Sequence, residues 1–118
     1  MEDELIAILD ALKYPVIRQG SLPPDKAYPP TFVTFWNNGT VEHSAYDNAT
    51  VSKTYDYDVN VYSSDPSTAY SLLDSIAEAV KAAGWTIISY GYDIASDEIT
   101  HIGRGMQIVY LQQTNTEE

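Results

Sequence analysis

Apolar residues recur at helical spacing in two stretches of this chain and alternate strictly with polar ones in others. Leu5, Ile8, Leu9 and Leu12 share one face of a helix predicted over residues 2–14. Glu2, Asp3 and Glu4 crowd its first turn, where the helix dipole favours negative charge. Pro15 stops it, because the residue before a proline is pushed out of the helical region. Gly20, Pro23, Pro24, Pro29 and Pro30 then exclude both a helix and a central strand from residues 20–30. That stretch reads as an ordered surface connector.

Residues 31–36 are β-branched and aromatic, which predicts a strand. Asn37-Asn38-Gly39 follows, and Asn-Gly is a strong hairpin signal because both residues tolerate positive φ. Residues 40–46 are then the returning arm and 47–52 a loop. Over 54–62 the alternation is clearest. Tyr55, Tyr57, Val59 and Val61 point one way, and Asp56, Asp58 and Asn60 the other, so one face is buried and one is wet. Tyr62, opposite in phase to Val61, is expected at a sheet rim. Asp65-Pro66 fits an N-cap followed by the first helical position. The helix runs over 65–83, with an apolar stripe from Ala69 to Ala83 and Gly84 as its C-terminal stop. Strands are predicted at 85–90 and 106–111, with a polar loop over 93–105 between them.

This order predicts an α+β fold: a mainly antiparallel sheet with two helices packed on one face. One domain should occupy 1–113, followed by a polar tail at 114–118. The expected core is Leu5, Leu9, Leu12, Phe35, Val59, Val61, Leu73, Ile76, Val80, Ile88 and Val109.

Composition narrows the functional classes. The chain has 118 residues, 17 acidic and 6 basic side chains, and a net charge of −11. With 44% apolar residues it is a folded domain and not a disordered acidic tail. The scattered basic residues make a poor phosphate-binding surface, so nonspecific binding to nucleic acid or an anionic membrane is not expected. No apolar run approaches a membrane span, and the acidic N-terminus lacks the basic start of a targeting peptide. With no cysteine there is no disulfide, thiol nucleophile or cysteine zinc site. Ten tyrosines suit strand surfaces and interfaces, and Tyr90 and Tyr92 are candidates for the latter.

Candidate chemistry is sparse. Asp93, Asp97, Glu98, His101 and Arg104 fall in twelve residues and could in principle do acid–base work. No nucleophile motif, phosphate loop or metal-binding helix accompanies them. Asp93, Asp97 and Glu98 lack the ligand spacing of a calcium loop, and His43 and His101 have no helical pairing. Asp56 and Asp58 could form a carboxylate dyad, but alternation on a half-exposed strand accounts for them. No catalytic residue, cofactor or metal is expected. Gly103 and Gly105 permit a tight turn around Arg104, whose planar fork suits a bidentate carboxylate partner.

Four stretches together resemble small structural proteins of tailed phages and prophages of Gram-positive bacteria, and are similar to tail terminator, or tail completion, proteins. They are Thr31-Phe32-Val33-Thr34-Phe35-Trp36-Asn37, His43-Ser44-Ala45-Tyr46-Asp47-Asn48, Val59-Asn60-Val61-Tyr62-Ser63-Ser64-Asp65-Pro66, and Gly84-Trp85 onward through Gly91-Tyr92-Asp93-Ile94-Ala95-Ser96-Asp97-Glu98 to His101-Ile102-Gly103-Arg104-Gly105. The resemblance covers about residues 28–111. It implies a virion protein of the tail or neck, assembled in the host cytoplasm as a ring, typically of six subunits. Its partners would be itself, the tail tube protein and the head-completion or connector protein. DNA would pass through the lumen without specific binding, and an acidic lumen would repel it. The alternatives are another neck or minor head protein, or a small acidic protein-binding module. Contacts are expected from polar loops and sheet edges in 37–48 and 93–104. The candidate interface residues are Asn38, His43, Tyr46, Asp47, Asn48, Tyr92, Asp93, Asp97, Glu98, His101 and Arg104.

Overall fold

The computed structural model describes residues 2–18, 29–44, 50–96 and 100–115. The expected α+β class is what forms: five strands in the order β1-β2-β3-β5-β4, with two helices packed against the sheet. The elements are α1 (Glu2–Asp10), β1 (Val16–Arg18), β2 (Thr31–Ser44), β3 (Thr50–Ser63), α2 (Pro66–Ala82), β4 (Thr86–Ile94) and β5 (Ile102–Asn115). Only β1 and β2 pair in parallel. The sequence pattern did not mark β1, a three-residue edge strand that follows α1 directly. Most of the predicted connector, residues 20–28, and the end of the predicted tail, 116–118, lie outside the described residues. Thr114 and Asn115, assigned to that tail, are in β5.

α1 is shorter than its apolar face implied. After Asp10 the hydrogen bonds tighten to Leu12 N–H with Leu9 O and Lys13 N–H with Asp10 O, and Lys13 takes a positive φ of 72°. The chain thereby turns into β1, where Pro15 O accepts from Val33 N–H at 2.8 Å.

α2 ends where capping chemistry predicted. Asp65 Oδ1 accepts from Ser67 N–H, and its other oxygen accepts from the Thr68 hydroxyl. At the far end Gly84 has φ 99°, Gly84 N–H reaches Lys81 O, and Trp85 N–H reaches Val80 O. That pair of bonds is a Schellman motif, and glycine occupies its left-handed position.

The hairpin expected at 37–39 does not form. β2 runs straight through Asn37-Asn38-Gly39, and the only irregularity is a register shift between Asn37 and Gly39. A turn there would have left residues 50–56 of β3 without a partner on the β2 side. Instead the ladder continues through Thr40↔Tyr55 to Ser44↔Val51, and Asn38 is absorbed as a bulge. Local turn propensity lost to the larger number of backbone hydrogen bonds in the long ladder. The reversal between β2 and β3 falls in 45–49, outside the described residues. Of the loop expected at 47–52, Thr50 to Ser52 belong to β3, and 47–49 lie outside the described residues.

The core lies between the helices and one sheet face. Leu5 and Leu9 of α1 join Leu72, Leu73, Ile76 and Val80 of α2, over Val33, Phe35, Tyr57, Val59, Val61, Met106 and Ile108. Leu12 only borders it. Two expected core residues are misplaced. Ile88 sits at a register shift in the edge strand and is 56% exposed. Val109 pairs with Asp56 on the face away from the helices, so Met106 and Ile108 fill the core instead.

Tyr62 is also not a rim residue. It is buried, and its ring stacks on Phe32 at 5.2 Å on the opposite face.

Tyr57 anchors α1 to the sheet. Its hydroxyl donates to Glu2 Oε1 at 2.8 Å and accepts from Asn37 Nδ2 at 3.3 Å. Glu2 also pairs with Arg18, whose guanidinium lies over the Phe35 ring. Burial first, then the hydrogen bond to Glu2, pushes the Tyr57 pKa up to about 12. The raised value favours the neutral phenol in the fold. Its contribution is therefore complete below about pH 10 and is lost as pH rises towards 12. Denaturant titrations across that window should show wild type losing up to ~3 kcal/mol more than Tyr57→Phe. Parallel alkaline limbs for the two proteins would disprove the linkage.

Candidate functional site

The strands outrun the helices. Fourteen residues of β span roughly 46 Å, whereas the 17 residues of α2 span roughly 25 Å. The molecule measures 54 × 28 × 22 Å accordingly. Tyr55 and Tyr110 are the last residues of β3 and β5 that pack against the core. Beyond them β2, β3 and β5 continue as a three-stranded blade. Its cross-strand row Val41, Thr54 and Leu111 leaves Val41 53% and Leu111 58% exposed.

The sheet face away from the helices has two zones. Near the start of β2 it is covered, and Phe32, Thr34, Asn60, Tyr62, Gly103 and Gly105 are buried. Further along it is open and polar, with Trp36, Asp58 and Gln107 in one cross-strand row. Asn38 Nδ2 donates to Asp56 at 3.1 Å and to Asp58 at 3.0 Å, and Gln107 Nε2 donates to both Asp56 oxygens. The bulge that replaced the hairpin therefore points its extra amide at two carboxylates. Trp36, 48% exposed beside them, was not singled out from the sequence. Its signal was available: strict alternation in 31–36 puts Trp36 on the face opposite Phe35.

The expected interface residues fall into separate groups. Asn38 and Tyr92 belong to the open face. Burial, followed by the charges of Asp58 and Asp56, raises the Tyr92 pKa. His101 lies on that face too, lower down. Its ring tilts against Phe32, with Nε2 2.8 Å from Pro29 O and Nδ1 2.9 Å from the Thr100 hydroxyl. Asp93 and Arg104 are on the helix side, directly opposite each other across β4 and β5. The backbone of His43 stands opposite Ser52 in β2, and its side chain is not among those described. Tyr46, Asp47, Asn48, Asp97 and Glu98 lie outside the described residues.

Both ends of the loop expected over 93–105 are strand, Asp93 and Ile94 in β4 and Ile102 to Gly105 in β5, and Asp93, His101 and Arg104 do not converge on one site. The shallow depression between α2 and β4 is lined by Asp74, Ala77, Glu78, Lys81, Ile87 and Tyr90 and contains none of them. Among the described residues no three metal-ligating side chains gather, and no helix is long and apolar enough to cross a membrane.

Arg104 does take an acidic partner, but not bidentately. Nη1 donates to Asp93 Oδ1 at 2.8 Å, while the guanidinium stacks 4.8 Å from the centre of the Tyr70 ring. The flat face of the fork lies against the aromatic ring, and one N–H at its edge reaches the carboxylate. Gly91 also lies close, since a Cβ on it would stand 2.9 Å from Arg104 Nη2, and its φ of 77° favours glycine. Arg104→Lys keeps the charge and loses the planar stack. It should cost roughly 1 kcal/mol of unfolding free energy, against almost nothing for Asp93→Asn at the exposed end. Equal small losses would remove the stacking role.

No protein-family model matches the chain, and no curated protein matches it significantly.

Proposed function

We propose that this chain is a virion structural protein of a tailed phage, a tail terminator that forms a ring at the head-proximal end of the tail tube. There it would stop tube growth and join the tube to the head-completion or connector complex. The observation that carries this reading is the blade: three strands that continue past the helices with apolar side chains left in water. A domain that works alone has no use for such an extension, whereas a subunit does. The four stretches similar to terminators within 28–111 add to it, and the α+β fold is the one that resemblance implies. A net charge of −11 suits a passage that DNA must traverse without adhering.

The test is deletion of the gene in the phage or prophage that carries it, followed by electron microscopy of the lysate. Loss of a terminator yields tails of uncontrolled length. Tails of normal length without heads would assign the chain to another neck component. Normal infectious particles would remove the virion role.

A further inference from the structure

A regular sheet edge displays a row of unpaired N–H and C=O groups, and proteins guard such edges with bulges, prolines or charges. This sheet guards its edges unequally. β4, the outer strand on one side, has register shifts between Ile87 and Ser89 and between Tyr90 and Tyr92, with Gly91 at φ 77°. The blade has no bulge or proline along its edges, and the one carboxylate there is Glu42 of β2. β1 pairs with β2 only at Val33, Thr34 and Phe35, so Thr40–Ser44 has no outer partner among the described residues. β4 reaches β5 only as far as Val109, so Tyr110–Asn115 likewise has no outer partner among the described residues. Both segments keep an unbroken register with β3. The β5 segment ends Leu111-Gln112-Gln113-Thr114-Asn115, without a charge, a proline or a glycine.

We infer that the free edge of β5 in one copy pairs with the free edge of β2 in the next, continuing the blade from molecule to molecule. This deepens the ring assignment, from which it takes only that copies of the chain assemble. β2 and β5 both run antiparallel to β3 and hence parallel to each other, so copies repeated around an axis meet in a parallel pair. The contact is head-to-tail and uses both open edges at once. Charge favours this pairing over that of two β2 edges. Two β2 edges in antiparallel contact would bring Glu42 near its own copy in a chain already at −11, whereas the β5 segment is neutral. At level register the row Val41, Thr54, Leu111 is prolonged by the next copy's Val41, and the two exposed apolar side chains cover each other.

Disulfide trapping tests this directly, because the chain has no cysteine of its own. Within one molecule β3 separates Val41 from Leu111 by about 10 Å, beyond the reach of a disulfide at about 7 Å between Cα atoms. A bridge between these positions is therefore intermolecular. Concentrated full-length Val41→Cys and Leu111→Cys proteins, oxidised as a mixture, should give a mixed dimer. The double variant should give a ladder of oligomers. Leu111→Lys should lower the sedimentation coefficient of concentrated protein towards that of the monomer. Cross-linking only of like with like, or no cross-linking with sedimentation unchanged by Leu111→Lys, overturns the edge pairing. The ring assignment fails separately, through normal tails in the deletion lysate.

Discussion

Leu73→Ala is expected to lower the unfolding free energy by roughly 2–5 kcal/mol, because it removes a fully packed side chain and leaves a cavity. Leu73 is 2% exposed on the inner face of α2, in the cluster that joins both helices to the sheet. In a domain of this size such a loss should bring the melting temperature down by roughly 10–20 °C. Ile88→Ala is the matched control. Ile88 was expected in the core, whereas the structure exposes it at an edge-strand bulge. Its truncation should cost no more than roughly 0.5 kcal/mol. Thermal denaturation of both variants decides the matter. A large loss at Ile88 with little at Leu73 would mean that the helices cover a different set of side chains.

Gly103→Ala should also destabilise, by less and for a different reason. An added methyl group inside a strand normally gains about 0.5–1 kcal/mol over glycine, because the unfolded chain has less freedom to lose. Here a Cβ would stand 2.7 Å from the Ile94 carbonyl oxygen on the neighbouring strand and 2.8 Å from the Tyr62 ring. The first atom is backbone and cannot swing away. The second belongs to a ring already stacked on Phe32. Overpacking of this kind costs roughly 1–3 kcal/mol and outweighs the entropic gain. The variant should be less stable and should lose near-ultraviolet dichroism from the Phe32–Tyr62 stack. A variant more stable than wild type would show that the sheet opens freely at this point. The same contacts revise the reading of Gly103-Arg104-Gly105. The glycines do not make a turn around the arginine. They are strand residues whose missing side chains let aromatic and aliphatic groups lie flat on the far face.

What the sequence determined by itself was everything that depends on near neighbours. The apolar faces of α1 and α2, the Asp65-Pro66 start, the Gly84 stop and the alternation through Tyr55 to Val61 all follow from contacts within a few residues. Most of the core and the α+β class follow from them. Arg104 with an acidic partner was legible too, because a solitary arginine amid so many carboxylates has few other choices. What only the tertiary structure decided were matters of register and reach. Asn37-Asn38-Gly39 is a good turn by its own chemistry, and it became a bulge because the long ladder with β3 contributes more hydrogen bonds than a local reversal. Ile88 and Val109 left the core because a one-residue shift in a strand exchanges its two faces. Asp93 met Arg104 across two strands and not within a loop. The blade's edges, without outer partners among the described residues, appeared only once β1 and β4 were seen to stop short of the ends of β2 and β5. Local chemistry sets which residues can form a strand. How far that strand runs, and which of its edges is left open, is set by partners distant in the chain.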